Sequence, residues 1–302
     1  MFNNKLSVII TTYNQSDYIK KAINSVLAQK QCPDFEVIIG DDASSDGTSN
    51  IITTYLEEYS DKIKYIRHGN NVGMLQNLKS CIDACTGEYI AICEGNDYWT
   101  DEYKLKKQCE ILENNKNISL CFTNINLLKQ KSNEILKHCD KIKQKLSNQF
   151  SIKDLIKFNN PIGNFSCCMY RRDAILNFIP NSYYEEKGAA DWLFNMYILD
   201  KSEGYYLKDV CSIYRILETS IYNRQSAFEK NMKLIESSAH YNVLFEYKYA
   251  KYFLKFLENT IDALKINNEK SLLNIHFPIS KQKEINVYVT RTKKVEKDNY
   301  AK

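Results

Sequence analysis

The stretch Leu6-Ser-Val-Ile-Ile-Thr-Thr-Tyr-Asn14 joins an apolar, β-branched strand to a polar loop. Further apolar runs of strand length follow at residues 35–39, 63–67 and 88–93, and segments with helical spacing separate them. These strands are apolar along almost their whole length, which is typical of parallel strands that helices cover on both faces. The sequence therefore predicts an α/β fold with a Rossmann-like, mostly parallel sheet flanked by helices.

Polar clusters follow three of the four predicted strands. They are Thr11-Thr-Tyr-Asn14, Asp41-Asp-Ala-Ser-Ser-Asp-Gly-Thr48 and Glu94-Gly-Asn-Asp97. Ligands of parallel α/β sheets bind at the carboxyl ends of the strands, where these clusters lie. We therefore expect the three clusters to converge on one rim of the sheet and to form a binding site there.

Composition and charge exclude several classes of protein. The chain has 302 residues, of which 44% are hydrophobic and 26% charged, so collagen-like and wholly disordered structures are excluded. The formal net charge is +4, and the last 22 residues alone carry a net charge of +4, so the rest of the chain is nearly neutral. The sequence therefore predicts a local basic tail and no nucleic-acid partner. No apolar run reaches the ~18 residues of a membrane-spanning helix, and no secretory leader is evident, so we expect a cytoplasmic protein. The ten cysteines form no CxxC pair, which favours reduced thiols.

The last third of the chain is predicted to be a helical extension. We expect a first domain at residues 1–222 and a helical extension with a basic tail at residues 223–302. An aromatic stripe at helical spacing is formed by Tyr241, Phe245, Tyr249, Phe253 and Leu257. Lys248, Lys251 and Lys255 lie on the same segment, so one interpretation is a basic amphipathic helix that contacts the inner face of the membrane. The alternative, which we favour, is that the stripe packs on the domain at residues 1–222.

Taken together in order, the three polar clusters resemble those of the family 2 glycosyltransferases. Downstream segments extend the resemblance, namely Phe165-Ser-Cys-Cys-Met-Tyr-Arg-Arg172, Ala190-Asp191-Trp192 and Tyr214-Arg215. The resemblance covers about residues 5–220. It implies the GT-A fold and an enzyme that uses a nucleotide-sugar donor.

The resemblance also implies roles for residues that would bind the nucleotide. Thr11 and Tyr13 occupy the positions that cradle the base, and the tyrosine ring could stack on it. Asp42 occupies the position of a carboxylate that accepts a hydrogen bond from a uracil-type ring, which points to a UDP-sugar. Asn96 would contact the ribose, where many family members have an acid.

Two further carboxylates would carry the chemistry. By resemblance, Asp97 is the ligand of a divalent cation, Mn²⁺ or Mg²⁺. Carboxylates repel the phosphates of a diphosphate, so an acidic strand end beside a diphosphate requires such a cation between them. Asp191 is the predicted catalytic base that takes the proton of the acceptor hydroxyl. The family often has an acid before this aspartate, and here the residue is Ala190.

The predicted function is an inverting glycosyltransferase that moves a sugar from a nucleotide-diphosphate donor to a hydroxyl of a surface glycan. Capsule or lipooligosaccharide, free or lipid-linked, is the acceptor class that the resemblance implies. One alternative is a non-catalytic nucleotide-sugar-binding module of the same fold, which the departures at Asn96 and Ala190 would allow. Another is a sugar nucleotidyltransferase, although the first loop lacks the glycines that such an enzyme wraps around a triphosphate.

Overall fold

The computed structural model of the chain describes residues 6–186, 190–218, 225–265, 272–280 and 283–290. The chain divides into two compact units. Unit 1 comprises Met1–Leu155 and Asn160–Glu218, and unit 2 comprises Ile156–Asn159 and Thr219–Lys302. The boundary predicted at residues 222 and 223 falls in the stretch 219–224, which lies outside the described residues.

Unit 1 begins with strands that alternate with helices. The elements are β1 (Leu6–Thr12), α1 (Ile19–Leu27), β2 (Phe35–Asp41), α2 (Thr48–Glu58), β3 (Ile63–Arg67), α3 (Met74–Ala84) and β4 (Tyr89–Glu94). The four strands pair in parallel in the order β3-β2-β1-β4. Val8, Ile9 and Ile10 are all inaccessible to solvent, so β1 is buried on both faces. The predicted α/β fold with its Rossmann-like half is confirmed.

The rest of the sheet mixes strand directions. The elements are β5 (Tyr98–Trp99), α4 (Lys104–Asn114), β6 (Ile118–Lys129), β7 (Glu134–Lys137), α5 (Asp140–Lys143), β8 (Gln149–Phe150), α6 (Ile152–Lys157), β9 (Cys168–Arg171), α7 (Arg172–Phe178), α8 (Ala190–Lys201) and β10 (Glu203–Ile216). Strand β9 runs antiparallel between β4 and β6, whereas β6 and β10 are parallel. Phe165–Cys167 form a 3₁₀ turn, and strand β9 begins after it at Cys168.

From residue 225 onward, the described part of unit 2 consists of two helices and two antiparallel strands. They are α9 (Ala227–Leu244), α10 (Ala250–Lys265), β11 (Leu272–Ser280) and β12 (Lys283–Thr290). The sequence predicted one helical stripe from 241 to 257, but the chain turns between the two helices, where Glu246 and Tyr247 have φ of 48° and 64°. Strands β11 and β12 pair antiparallel within the part of the chain that was predicted to be a helical extension. Residues 291–302 of the basic tail lie outside the described residues.

The aromatic stripe of unit 2 is buried despite this turn. Its members are 0 to 8% exposed: Tyr241, Phe245, Tyr249, Phe253 and Leu257. The side chains are therefore withdrawn from solvent, whereas packing of the stripe on the domain at residues 1–222 stays a prediction. Among the helices that the structure describes, none combines the length and apolar character needed to cross a bilayer.

Candidate active site

The loops that follow β1, β2 and β4 meet at one edge of the sheet. Thr11 at the end of β1 lies in register beside Glu94 at the end of β4. The Gly95 N–H then donates to the Thr11 carbonyl oxygen at 2.8 Å. On the other side, the Asp42 N–H donates to the Thr12 carbonyl oxygen at 3.0 Å. The structure therefore brings the three polar clusters together on one rim, as the parallel strand order predicts.

Gly95 allows the fourth loop to pack directly on the first. A Cβ atom at this position would lie 2.4 Å from Gln15 Oε1 and 3.0 Å from the Thr11 carbonyl oxygen. It would also lie 3.0 Å from Thr12 Cβ. The Gln15 side chain could move away, but the two contacts of 3.0 Å, one of them with backbone, are tighter than a Cβ atom normally makes, so glycine allows this close approach without a shift of the β1 loop.

Hydrogen bonds tie the first loop to the second. Asn14, with φ of 51°, accepts a hydrogen bond through Oδ1 from the Ser45 N–H at 2.8 Å. The Gln15 N–H donates to Thr48 Oγ1 at 2.8 Å. These bonds fix the loop around Tyr13, whose side chain is 48% exposed. The Tyr13 ring is thus accessible at the rim, and its stacking on a base stays a prediction.

The two aspartates of the second loop have different partners. Asp41 is fully buried and accepts hydrogen bonds from Ser44, Ser49 and Tyr65. Asp42 accepts from the N–H groups of Val72 and Gly73, at 2.6 Å and 3.0 Å, and it is 4% exposed. Asp42 therefore holds the β3–α3 loop at the rim. A carboxylate offers about four lone pairs, so the predicted contact with a base remains chemically open and stays a prediction.

Asp97 is buried, and three protein groups hydrogen-bond its carboxylate. Oδ2 accepts from Asn164 Nδ2 at 2.5 Å and from Ser166 Oγ at 2.6 Å, and Oδ1 accepts from the Arg215 N–H at 2.9 Å. Burial raises the pKa of Asp97 to about 6, although the hydrogen bonds from Ser166, Arg215 and Asn164 act to lower it. The carboxylate thus ties the acidic segment to two later parts of the chain. Its role as a metal ligand stays a prediction.

Glu94 is a partly exposed carboxylate that the sequence analysis assigned no role. Asn164 Nδ2, which bonds Asp97, also donates to Glu94 Oε2 at 2.7 Å. Burial raises the pKa of Glu94 well above its ordinary range, and the negative charges of Asp97 and Asp191 raise it further. Its position as the first acid of the polar cluster after β4 is the feature of the sequence that could have indicated a role for Glu94. Asn96, the predicted ribose contact, is also partly exposed in this turn.

The chemistry of this rim fits a divalent cation. Glu94 and Asp97 share one amide group, and their mutual repulsion would be relieved by a positive charge between them. In the part of the chain that the structure describes, no three His, Cys, Asp or Glu side chains are arranged to hold a metal ion. A site with few protein ligands is expected where phosphate oxygens and water complete the coordination. Glu94 and Asp97 are the residues that would hold the cation.

Asp191 lies in the first turn of α8, within electrostatic reach of the acidic segment. Its charge contributes to the raised pKa of Glu94. Burial raises the pKa of Asp191 itself. The hydrogen bond of 2.9 Å that Asn160 Nδ2 donates to Asp191 Oδ2 acts to lower it. The predicted base is therefore close enough to Glu94 for the two carboxylates to interact electrostatically.

The segment from 160 to 166 supplies polar contacts that the sequence analysis did not identify. Asn160 contacts Asp191, whereas Asn164 and Ser166 contact the acids of the β4 turn. Gly163 has φ of 115°, and a Cβ atom there would lie 2.4 Å from Ile125 Cδ1. The run of asparagine, proline and glycine in this segment indicates a turn, but it does not indicate what the turn contacts.

Comparisons with known proteins agree with this architecture. Residues 1–349 of TarS from S. aureus, solved in complex with UDP-GlcNAc, superpose with a TM-score of 0.59 at 19% identity, covering 86% of this chain and 81% of that TarS fragment. The mannosyltransferase PcManGT from Pyrobaculum calidifontis, solved with GDP-Man and Mn²⁺, gives a TM-score of 0.58 at 15% identity, covering 87% and 75%. At these identities the likeness shows the fold, which is that of GT-A glycosyltransferases.

Sequence comparisons define the family. The model of "Glycosyl transferase family 2" matches residues 7–178, which is more than half of the chain. The chain therefore belongs to glycosyltransferase family 2. An uncharacterized protein of Mycobacterium tuberculosis is 41% identical over 117 residues, which are 39% of this chain and 34% of that relative. The GalNAc(5)-diNAcBac-PP-undecaprenol beta-1,3-glucosyltransferase of Campylobacter jejuni is 27% identical over 215 residues, 70% of this chain and 65% of that enzyme.

Proposed function

We propose that the protein transfers a sugar from a nucleotide-diphosphate donor to an acceptor hydroxyl, with inversion at the anomeric carbon, and acts in glycan biosynthesis. The observation that carries this proposal is the convergence of three loops on one rim. There, Tyr13, Asp42 and the acidic turn at residues 94–97 lie together, and Asp191 is close enough to Glu94 to interact with it electrostatically.

Each part of the rim has one task in this reaction. Tyr13 and Thr11 would contact the base, Asp42 would hold both the base and the β3–α3 loop, and Asn96 would bond the ribose. A divalent cation bound by Glu94 and Asp97 would supply positive charge that stabilises the leaving diphosphate. No second catalytic carboxylate is needed, since a glycosyltransferase breaks a bond that the diphosphate already activates.

Asp191 would accept the proton of the acceptor hydroxyl. As the acceptor oxygen forms its bond to the anomeric carbon, the bond from that carbon to the diphosphate breaks, and the electron pair leaves with the diphosphate. A base with a raised pKa is matched to this task, because it holds the proton more firmly than an exposed aspartate would. Attack from the face opposite the leaving group gives inversion.

The donor is proposed to be a UDP-sugar and the acceptor a surface glycan, free or lipid-linked. The UDP-GlcNAc complex of TarS and the undecaprenol-linked substrate in the name of the Campylobacter relative support this choice. Capsule and lipooligosaccharide are the acceptor types that we propose. GDP-Man in the PcManGT complex makes guanine the main competing base.

Unit 1 is proposed to be the catalytic domain and unit 2 an appendage to it. We also propose that the enzyme works in the cytoplasm at the inner face of the membrane. Because the aromatic stripe of unit 2 is buried, membrane contact would be electrostatic and would use the exposed Lys248, Lys251 and Lys255. Binding to anionic vesicles should then decline steeply with added salt.

The proposal is tested by measuring UDP release from UDP-GlcNAc in Mn²⁺, in Mg²⁺ and in EDTA. We expect metal-dependent release that Asp191→Asn lowers about 10²- to 10⁴-fold, the usual contribution of a general base. Asp173→Asn is the matched control, since Asp173 lies in the first turn of α7 and is exposed. A wild type that binds UDP but releases none from any UDP-sugar or GDP-sugar would instead support a binding module.

A further inference from the structure

The side chain of Asn160 contacts the carboxylate that the proposed function uses as its base. Asn160 Nδ2 donates to Asp191 Oδ2 at 2.9 Å. Because an ionised carboxylate can only accept, the amide must present its nitrogen to it, and the orientation of the amide is thereby fixed. The bond occupies one oxygen of Asp191 and restricts rotation of the carboxylate group about its own axis.

The backbone holds this amide in place. Asn160 and its neighbour Asn159 both have left-handed backbone conformations, with φ of 48° and 54°. The Asn160 N–H donates to the carbonyl oxygen of Leu155 in α6 at 3.0 Å. Asparagine tolerates this conformation better than most residues, so both the backbone and the residue type at 160 suit a fixed amide.

The contact is hard to explain as packing alone. Asn160 Oδ1 is buried and has no hydrogen-bond partner among the described residues. A buried acceptor without a partner destabilises the fold, so an apolar residue would serve better if the position were only structural. The other groups that hydrogen-bond the Asp191 carboxylate are the backbone N–H groups of Trp192 and of Asp191 itself, and the preceding residue, Ala190, has no polar side-chain atom.

We propose that Asn160 is the positioning residue of the Asp191 base. Its amide holds Oδ2 and turns Oδ1 toward the acceptor hydroxyl, so that proton transfer begins from a fixed geometry. This inference rests on the proposed function, because it assigns Asn160 a task only if Asp191 takes a proton.

Two substitutions separate positioning from a structural role. Asn160→Gly removes the amide and keeps a residue that accepts positive φ. Asn160→Asp keeps the size, the shape and the tolerance of positive φ, but it replaces the donor with an acceptor. Asn159→Gly is the matched control, because Asn159 has nearly the same φ and is exposed.

The full-length chain is assayed for UDP release from UDP-GlcNAc in Mn²⁺, for UDP affinity by calorimetry, and for thermal midpoint. For both Asn160 variants we expect kcat to fall about 10- to 100-fold, the size of effect that a misplaced catalytic group produces. We expect KM for the donor and Kd for UDP to stay within about twofold of wild type, since the donor site is not altered. Asn159→Gly should retain the wild-type kcat.

The outcomes distinguish this inference from the proposed function. If Asp191→Asn abolishes turnover while Asn160→Asp keeps the wild-type kcat, the inference is overturned and the proposed function stands. If both Asn160 variants lose UDP binding and thermal stability relative to Asn159→Gly, the role is structural and the inference is also overturned. If the wild type shows no turnover, the proposed function fails and the inference fails with it.

Discussion

Replacing Asp97 by asparagine tests whether this carboxylate stabilises the fold in the absence of metal. Its two oxygens accept hydrogen bonds from Asn164, Ser166 and the Arg215 N–H, and the side chain is 0% exposed. An asparagine has one oxygen where the carboxylate has two. Whichever way its amide turns, at least one NH group then faces a donor instead of an acceptor.

The magnitude follows from the bonds that must be lost. If the new NH₂ group replaces Oδ1, only the bond from the Arg215 N–H is lost; if it replaces Oδ2, the bonds from Asn164 and Ser166 are lost. The first orientation therefore lowers the free energy of unfolding less than the second. Hydrogen bonds to charged groups contribute about 1.5–3 kcal/mol, so we expect Asp97→Asn to lower the free energy of unfolding by about 2 kcal/mol.

The assay is urea denaturation at pH 7.5 in EDTA, which is above the Asp97 pKa of about 6. Asn96→Ala is the control, because Asn96 is the adjacent, partly exposed polar residue of the same turn. If Asp97 served only as a metal ligand, its removal would relieve repulsion with Glu94 and leave the metal-free protein as stable or more stable. A midpoint equal to or above that of wild type would therefore refute the reasoning.

Three further predictions follow from the rim. Gly95→Ala should lower the free energy of unfolding by about 1–3 kcal/mol and weaken UDP binding, because the added Cβ atom would collide with the loop after β1. Urea denaturation and calorimetry measure the two effects. Wild-type values in both would contradict the close packing of the two loops. Tyr13→Ala should leave stability unchanged, since the ring is 48% exposed, but reduce UDP affinity about tenfold by calorimetry; unchanged affinity would exclude stacking. Burial alone would raise the pKa of Asp46, but hydrogen bonds from Thr48 and the Ser16 N–H lower it from 3.8 to about 2. After discounting for solvent exposure, the lowered pKa contributes about 1 kcal/mol of stability above pH 4, which is lost as the pH falls through 2. Asp46→Asn should therefore make the thermal midpoint depend less on pH between 4 and 2 than it does in wild type.

The sequence was sufficient to predict the rim because strand order determines it. Continuous apolar runs such as Val8–Ile10 indicate parallel strands, and the carboxyl ends of parallel strands share an edge. Polar residues that follow such strands must therefore meet, whatever the loops between them contain. That argument needs no knowledge of side-chain conformation.

The sequence could not predict the side-chain environments, because they depend on contacts between residues that are far apart in the chain. Whether Glu94 or Asp97 faces outward depends on the contacts made by Asn164 and Ser166, which lie about 70 residues further along the chain. The turn composition of their segment predicts its backbone and not its partners. Asn160 was missed for the same reason.

The helical stripe of unit 2 shows a different limit. Large apolar residues, four of them aromatic, recur every four positions from Tyr241 to Leu257, and this spacing continues through the turn between α9 and α10. The turn depends on the left-handed conformations of Glu246 and Tyr247, which neither residue type signals. Periodicity alone therefore predicted one helix where there are two.

Calorimetric titration of the protein with UDP, in Mn²⁺ and in EDTA, tests the central claim that the rim clamps a diphosphate through a cation. The account predicts one UDP per chain in Mn²⁺, and affinity that falls at least about tenfold in EDTA or after Glu94→Gln, since the cation bridges like charges. Equal affinity for UDP in Mn²⁺ and in EDTA, or no binding of UDP under either condition, would contradict it.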